Sequence, residues 1–211
     1  MDIEEFERYK RIRDVSDSLK AARAFFAANK DGGELAKKIQ GLSYSEQLDW
    51  EQFSVCAESP GPVKDEEMLV RQILNPVHFD IEADEVKPNL FEDVISKGAS
   101  THRSNHCSEE MILNIALDRV AVQNVNPPKT GLRTLIGYVS ISALAVRNLS
   151  VDVDSLRDKR VLAVYDTANK KDSSHTDICL LQRQKQAELS VKSQLYLHAK
   201  GTLKRTDRPL S

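Results

Sequence analysis

Residues 161–181 read Val-Leu-Ala-Val-Tyr-Asp-Thr-Ala-Asn-Lys-Lys-Asp-Ser-Ser-His-Thr-Asp-Ile-Cys-Leu-Leu. Residues 161–165 and 176–181 are short apolar runs of strand length. The stretch between them, Asn169-Lys170-Lys171-Asp172-Ser173-Ser174, is wholly polar, as the loop of a strand pair should be. A neighbouring strand pair with helical patterns on both sides predicts an α+β protein: a small mixed or antiparallel sheet with packed helices.

Working back from this pair, residues 132–139 read as another strand. Ser140 or Ser142 then caps a short helix through Leu144, Ala145 and Val146 to Leu149. Asn126-Pro127-Pro128 ends the connection after a helix that Ser108 caps. Glu109 and Glu110 suit its positive end, and Ile112, Leu113, Ile115, Ala116, Leu117 and Val120 are its apolar positions. Residues 65–74 read as a short helix or a strand. The breaker Ser59-Pro60-Gly61-Pro62 marks an edge between a helical extension, residues 1–59, and an α+β domain, residues 63–211. Within the extension Phe6, Ile12, Val15, Leu19, Ala22, Phe25 and Phe26 form an amphipathic stripe. A second helix is expected over 34–39, and a third capped by Ser45. Forward of the pair, residues 182–199 form a helix with Leu189, Lys192, Tyr196 and Leu197 on one face. A basic tail follows Gly201.

The composition narrows the function classes. The 211 residues carry 30 Lys+Arg against 32 Asp+Glu, a net charge of −2. This balance excludes a wholesale polyelectrolyte. Folded chains of this mass bury roughly 70 % of their extended surface, enough for a sizeable core. The average hides asymmetry, however: residues 46–96 are net −10 and residues 181–211 net +5. The acidic start has no signal-peptide pattern, and no apolar run is long enough to span a bilayer. Three scattered cysteines, Cys56, Cys107 and Cys179, fit no disulfide framework. A cytoplasmic setting is expected, with these thiols as buried small side chains.

Three constellations bear on chemistry. Thr101-His102-Arg103-Ser104-Asn105-His106-Cys107 offers two imidazoles and a thiol, but at no usual zinc spacing, so it reads as a polar loop with no metal. His175 and Asp177, two apart on a strand, share a face with Cys179. An Asp beside a His can fix its tautomer, and Ser100 or Cys107 would be the nucleophile of such a relay. The stretch from Asp80 to Glu85 lacks the glycine and terminal glutamate of a calcium loop and reads as an exposed acidic turn. No phosphate-cradling glycine loop is present.

Several pieces together resemble a family of small uncharacterised bacterial proteins. They are Val70-Arg71-Gln72-Ile73-Leu74-Asn75-Pro76-Val77-His78-Phe79, the segment 86–91, Ala99-Ser100-Thr101-His102-Arg103, the strand and helix of 137–149, and Ser174-His175-Thr176-Asp177-Ile178. The family usually has Leu-Ser-Val where this chain has Ala99-Ser100-Thr101. The resemblance spans about residues 69–180. It implies an α+β domain in a bacterial cytoplasm, and no activity.

The functional expectation is a non-enzymatic interaction or accessory module, with a protein partner or a second copy docking on the N-terminal helices. The alternative is an enzyme or small anionic-ligand-binding domain whose pocket uses His78, Ser100, Arg103, His175 and Asp177. A third reading is nucleic-acid binding through the basic segment 181–211, which lacks interleaved aromatics. No cofactor is implied.

Overall fold

The structure is a computed structural model. It describes residues 3–29, 33–56, 58–129 and 131–206, and the side chains of 16 onward among these. Helices α1 (Ile3–Asn29), α2 (Leu35–Ile39) and α3 (Tyr44–Trp50) come first. Strand β1 (Met68–Asn75) and the hairpin β2 (Phe79–Asp80) and β3 (Glu85–Val86) lead to a 3-10 segment, Pro88–Ile95. There follow β4 (Ala99–Arg103), α4 (Glu109–Val125), β5 (Thr134–Ser142) and α5 (Ala143–Arg147). The chain closes with β6 (Leu162–Asp166), β7 (His175–Leu180), α6 (Lys185–Lys200) and β8 (Lys204–Arg205). The six-stranded sheet runs β6-β7-β4-β1-β5-β8, antiparallel throughout. The fold class is α+β.

Strand alternation sends side chains to two faces. On one face Leu69, Ile73, Val139, Ile141, Leu162, Val164, Ile178 and Leu180 pack under the 3-10 segment, α5 and α6. On the other face the cover is split. Ala22, Phe26, Leu35, Ile39 and Trp50 of the N-terminal helices lie on Ala163, Tyr165, Cys179 and Leu181. Helix α4 lies on Val70, Leu74, Leu135 and Tyr138. The helical segment before Ser59 therefore contributes to the chain's own core. Of the predicted stripe on α1, Ala22 and Phe26 are buried, whereas Phe6, Ile12 and Val15 fall outside the described side chains.

Several local expectations need correction. The third helix is capped by Ser43, not Ser45. Ser43 and Glu46 form a reciprocal capping box, which satisfies two otherwise orphan N–H groups. Residues 65–74 supply a strand, and residues 101–103, expected in a polar loop, lie in the buried strand β4. The buried stripe of α6 is Ala187, Val191, Leu195 and Ala199, while Leu189 and Leu197 are more than half exposed. Two of these four, Ala187 and Ala199, are small, so a reading that favours large apolar groups passes over them. Ser142 caps α5 and Ser108 caps α4, each accepting the N–H three residues on. The acidic and basic segments meet in part: Lys192 pairs with Glu92 at 2.8 Å and Arg205 with Asp84 at 2.6 Å.

Gly137 admits the last strand. A Cβ there would stand 2.0 Å from the Lys204 carbonyl oxygen, which is backbone and cannot give way. Gly137→Ala is expected to expel β8. Amide exchange at residues 204–206 should become fast while β1 and β5 stay protected. Retained protection at 204–206 would refute the steric reading.

Candidate functional site

Between its two apolar covers the second face of the sheet is polar. The register places Ser100 opposite Asp177 and His102 opposite His175, so all four point the same way. Gln72 of β1 joins them through His102. Above this row opens a cleft of about 900 Å³, with Ser100, His175 and Asp177 in its lining. The cleft exists because the N-terminal helices and α4 cover opposite ends of the sheet and leave the middle strands open.

The floor is a hydrogen-bonded network. Ser100 Oγ donates to Asp177 Oδ1 at 3.2 Å, and Thr167 Oγ1 donates to Asp177 Oδ2 at 2.7 Å. Thr167 Oγ1 also lies 2.9 Å from His175 Nδ1, and so bridges imidazole and carboxylate, which are themselves 3.7 Å apart. Gly98 (φ +85°) brings the preceding turn against this network. A Cβ at Gly98 would meet Cys179 Sγ at 3.1 Å and Asp177 at 3.2 Å.

A second imidazole lies beneath. His102 is buried, with Nδ1 3.0 Å from Asp172 Oδ2, close enough for an ion pair though not aligned as a hydrogen bond. Its Nε2 is 3.1 Å from the Gln72 amide nitrogen, which also donates to the Ile112 carbonyl. Burial alone would raise the Asp172 pKa. The His102 contact, the Ser174 hydroxyl and the charge that His175 carries when protonated outweigh it and hold the group at about 2. A folded pKa below the ordinary 3.8 stabilises the fold above pH 4, and that contribution disappears as the pH falls toward 2. It amounts to about 2 kcal/mol. Asp172→Asn is therefore expected to lose about that much at pH 7 and nearly nothing at pH 2, read from urea unfolding at both pH values. An equal loss at both would contradict the assignment.

One end of the cleft is cationic. The ladder between β1 and β4 stops after Val70–His102. Beyond it Arg71 carries the link, donating to the Ser100 carbonyl at 3.0 Å, to the Leu90 carbonyl at 2.9 Å, and to both Asp93 oxygens at 2.9 and 2.7 Å. An adjoining cavity of about 370 Å³ shares Asp93, Lys97, Ser100 and Arg119 with the main cleft, and adds His78 and Arg133. His78 is depressed to about 3, first by burial and then by the charges of Arg71, Arg119 and Arg133. Loss of solvation, then Arg71, also pulls Arg119 below arginine's usual value, although the residue keeps access to solvent. Arg133 donates to the Gln123 side chain at 2.7 Å, and its Nε is buried without a partner. Asp93 already binds Arg71. Among the described residues, none of Lys97, Arg119 and Arg133 forms an ion pair.

Of the five residues expected from sequence, Ser100, His175 and Asp177 meet in the main cleft and His78 lines the adjoining cavity. Arg103 does not join them. It points to the opposite face, 1 % exposed, locked to Glu67. Cys107 is no nucleophile for this floor either: it is buried in the α4 cluster, and burial pushes its thiol up. No His, Cys, Asp and Glu cluster among the described residues is arranged to hold a metal ion. Thr167, Asp93, Lys97 and Arg119 are absent from the sequence reading. Arg119 did leave a signal, since it lies between Ala116 and Val120 at the rim of the buried stripe of α4.

Among the described residues no helix is long and apolar enough to cross a membrane. Compared with protein-family models, curated proteins and solved structures, the chain finds no match, so its functional reading rests on the cleft itself.

Proposed function

We propose that the chain binds a small anionic molecule in this cleft, with its negative group at Arg119, Lys97 and Arg133 and its neutral part over Ser100, His175 and Asp177. The observation that carries this is Arg119, a guanidinium that forms no ion pair among the described residues, in a wall shared by both cavities. Asp93 and Asp177 offset this crowding only in part, since loss of solvation and then Arg71 still pull Arg119 below arginine's usual value, and a bound anion relieves it further. Guanidinium in particular donates two parallel hydrogen bonds to phosphate or carboxylate. Docking on the N-terminal helices is the weaker reading, because Phe26, Leu35, Ile39 and Trp50 are already buried on this chain's own sheet and Phe25 and Leu48 are partly packed against them.

Inorganic phosphate and pyrophosphate are suitable probes. Millimolar pyrophosphate is expected to raise the melting temperature, by mass action on the folded state, above a chloride control of equal ionic strength. Isothermal titration should give a saturable site. Arg119→Ala, at a solvent-accessible helix position, should fold normally and weaken binding at least tenfold, as loss of about 1.4 kcal/mol does. No saturable binding, or unchanged affinity in the variant, would refute the proposal.

A further inference from the structure

We infer that His175 is the proton acceptor of the cleft: Thr167 and Asp177 hold its Nδ1–H, and its Nε2 lone pair is free for an O–H group of the bound molecule. The argument is one of proton counting. The Thr167 hydroxyl has a single hydrogen, and at 2.7 Å that hydrogen goes to Asp177 Oδ2, an acceptor-only carboxylate oxygen. Toward His175 Nδ1, at 2.9 Å, the same oxygen can then only accept. In the neutral imidazole Nδ1 must therefore carry the ring proton and Nε2 the lone pair.

Nε2 has no protein partner among the described residues, and the side chain keeps 23 % of its surface open in the cleft lining. The rest of the surroundings is consistent with this assignment. The Ser100 hydroxyl is directed to the other Asp177 oxygen and does not compete for Nε2. His102 meets the ring edge-on at 5.9 Å and is itself engaged with Asp172 and Gln72. Lys170 and Lys171 belong to the wall. When a ligand hydroxyl gives up its proton, the O–H bonding pair stays on the ligand oxygen. The imidazolium so formed is offset by Asp177 through Thr167, the same division of labour as in a nucleophile–base–orienter relay.

This deepens the anion-binding reading and rests on it only for the identity of the ligand, which becomes an anion bearing a nearby hydroxyl, such as a hydroxylated alkyl phosphate. The two parts are tested separately. Nitrogen NMR of the imidazole at pH 8, with no ligand, is expected to show His175 as the Nδ1–H tautomer. Thr167→Val should convert it mainly to Nε2–H, and Thr167→Ser should restore the native form. An Nε2–H tautomer in the native chain, or no change in Thr167→Val, overturns the inference whatever the ligand.

In titrations, glycerol 3-phosphate should bind about tenfold more tightly than propyl phosphate, which lacks the hydroxyls, and His175→Phe should abolish the difference. Equal affinities in the native chain overturn the hydroxyl partner. If neither phosphate binds, the anion reading fails alone, and the tautomer still decides the role of His175.

Discussion

Glu51→Ala is expected to cost about 3–5 kcal/mol of unfolding free energy, because it leaves buried cations without their anion. The Glu51 carboxylate is fully buried directly after α3. Its Oε1 accepts from Arg147 Nε at 2.9 Å, from an Arg160 guanidinium N–H at 2.9 Å and from the Val164 backbone N–H at 2.8 Å. The last bond satisfies the outer edge of β6, which has no neighbouring strand among the described residues. One side chain thus joins the N-terminal helices to α5 and to the sheet edge. Arg147 would retain Asp65 and the Val63 carbonyl, but its Nε and the Val164 N–H would be stranded. Glu51→Gln keeps an acceptor for Val164 while losing the charge, and should cost less than Glu51→Ala. Urea unfolding at pH 7 measures both, with the denaturant slope unchanged if the transition stays two-state. A loss below 1 kcal/mol for Glu51→Ala would show that water, rather than protein, replaces this anion. The helices should also loosen with the substitution, so that limited trypsin digestion cuts before residue 60 first.

The parts of the molecule legible from sequence are those whose signals are local. The strands β6 and β7, the Ser108 cap, the Ser142 cap as one of two candidates with Ser140, and the shared face of His175 and Asp177 follow from periodicity or from a cap three residues ahead of its N–H. Strand β4 follows from neither. Its buried polar residues are Thr101, His102 and Arg103, and each is tolerable inside only because of a distant partner. Thr101 meets the Thr176 hydroxyl at 2.6 Å, His102 meets Asp172, and Arg103 meets Glu67. A polar residue with a partner 36 or more positions away looks, in sequence, like loop. The site divides the same way. Period two brings His175 and Asp177 together, and the pairing of β4 with β7 adds Ser100. Thr167 arrives from a loop and Arg119 from a helix, so their place depends on how the covers pack. The charge asymmetry was legible as an amount but not as contacts. Only the fold shows Lys192 and Arg205 reaching back to Glu92 and Asp84.

Arg103→Ala should be comparably damaging, about 3–5 kcal/mol, and its pH dependence separates its cause from that of any ligand site. Arg103 gives Nε to Glu67 Oε2 at 2.5 Å and a terminal N–H to Oε1 at 2.6 Å. Its remaining nitrogen donates to the Gly61 carbonyl at 2.6 Å, which pins the Pro60–Pro62 breaker to the sheet. Burial alone would raise the Glu67 pKa. The Arg103 hydrogen bonds, the Lys64 N–H and the Arg103 charge outweigh it and lower the group below its ordinary value. In the native chain this contribution is present above the ordinary glutamate pKa and is lost as the pH falls through the lowered one. Without Arg103 the balance reverses. Burial then raises Glu67, and the ionised carboxylate destabilises the fold at neutral pH until acid neutralises it. The difference between native and variant stabilities should therefore be largest near pH 7 and shrink toward pH 4. Arg103→Met combined with Glu67→Leu removes both charges while keeping apolar volume, and should recover most of the loss. Arg103 lies on the face away from the cleft, so this double variant should bind pyrophosphate as the native chain does. Failure to bind, in a folded double variant, would place Arg103 back in the site from which its buried pair now excludes it.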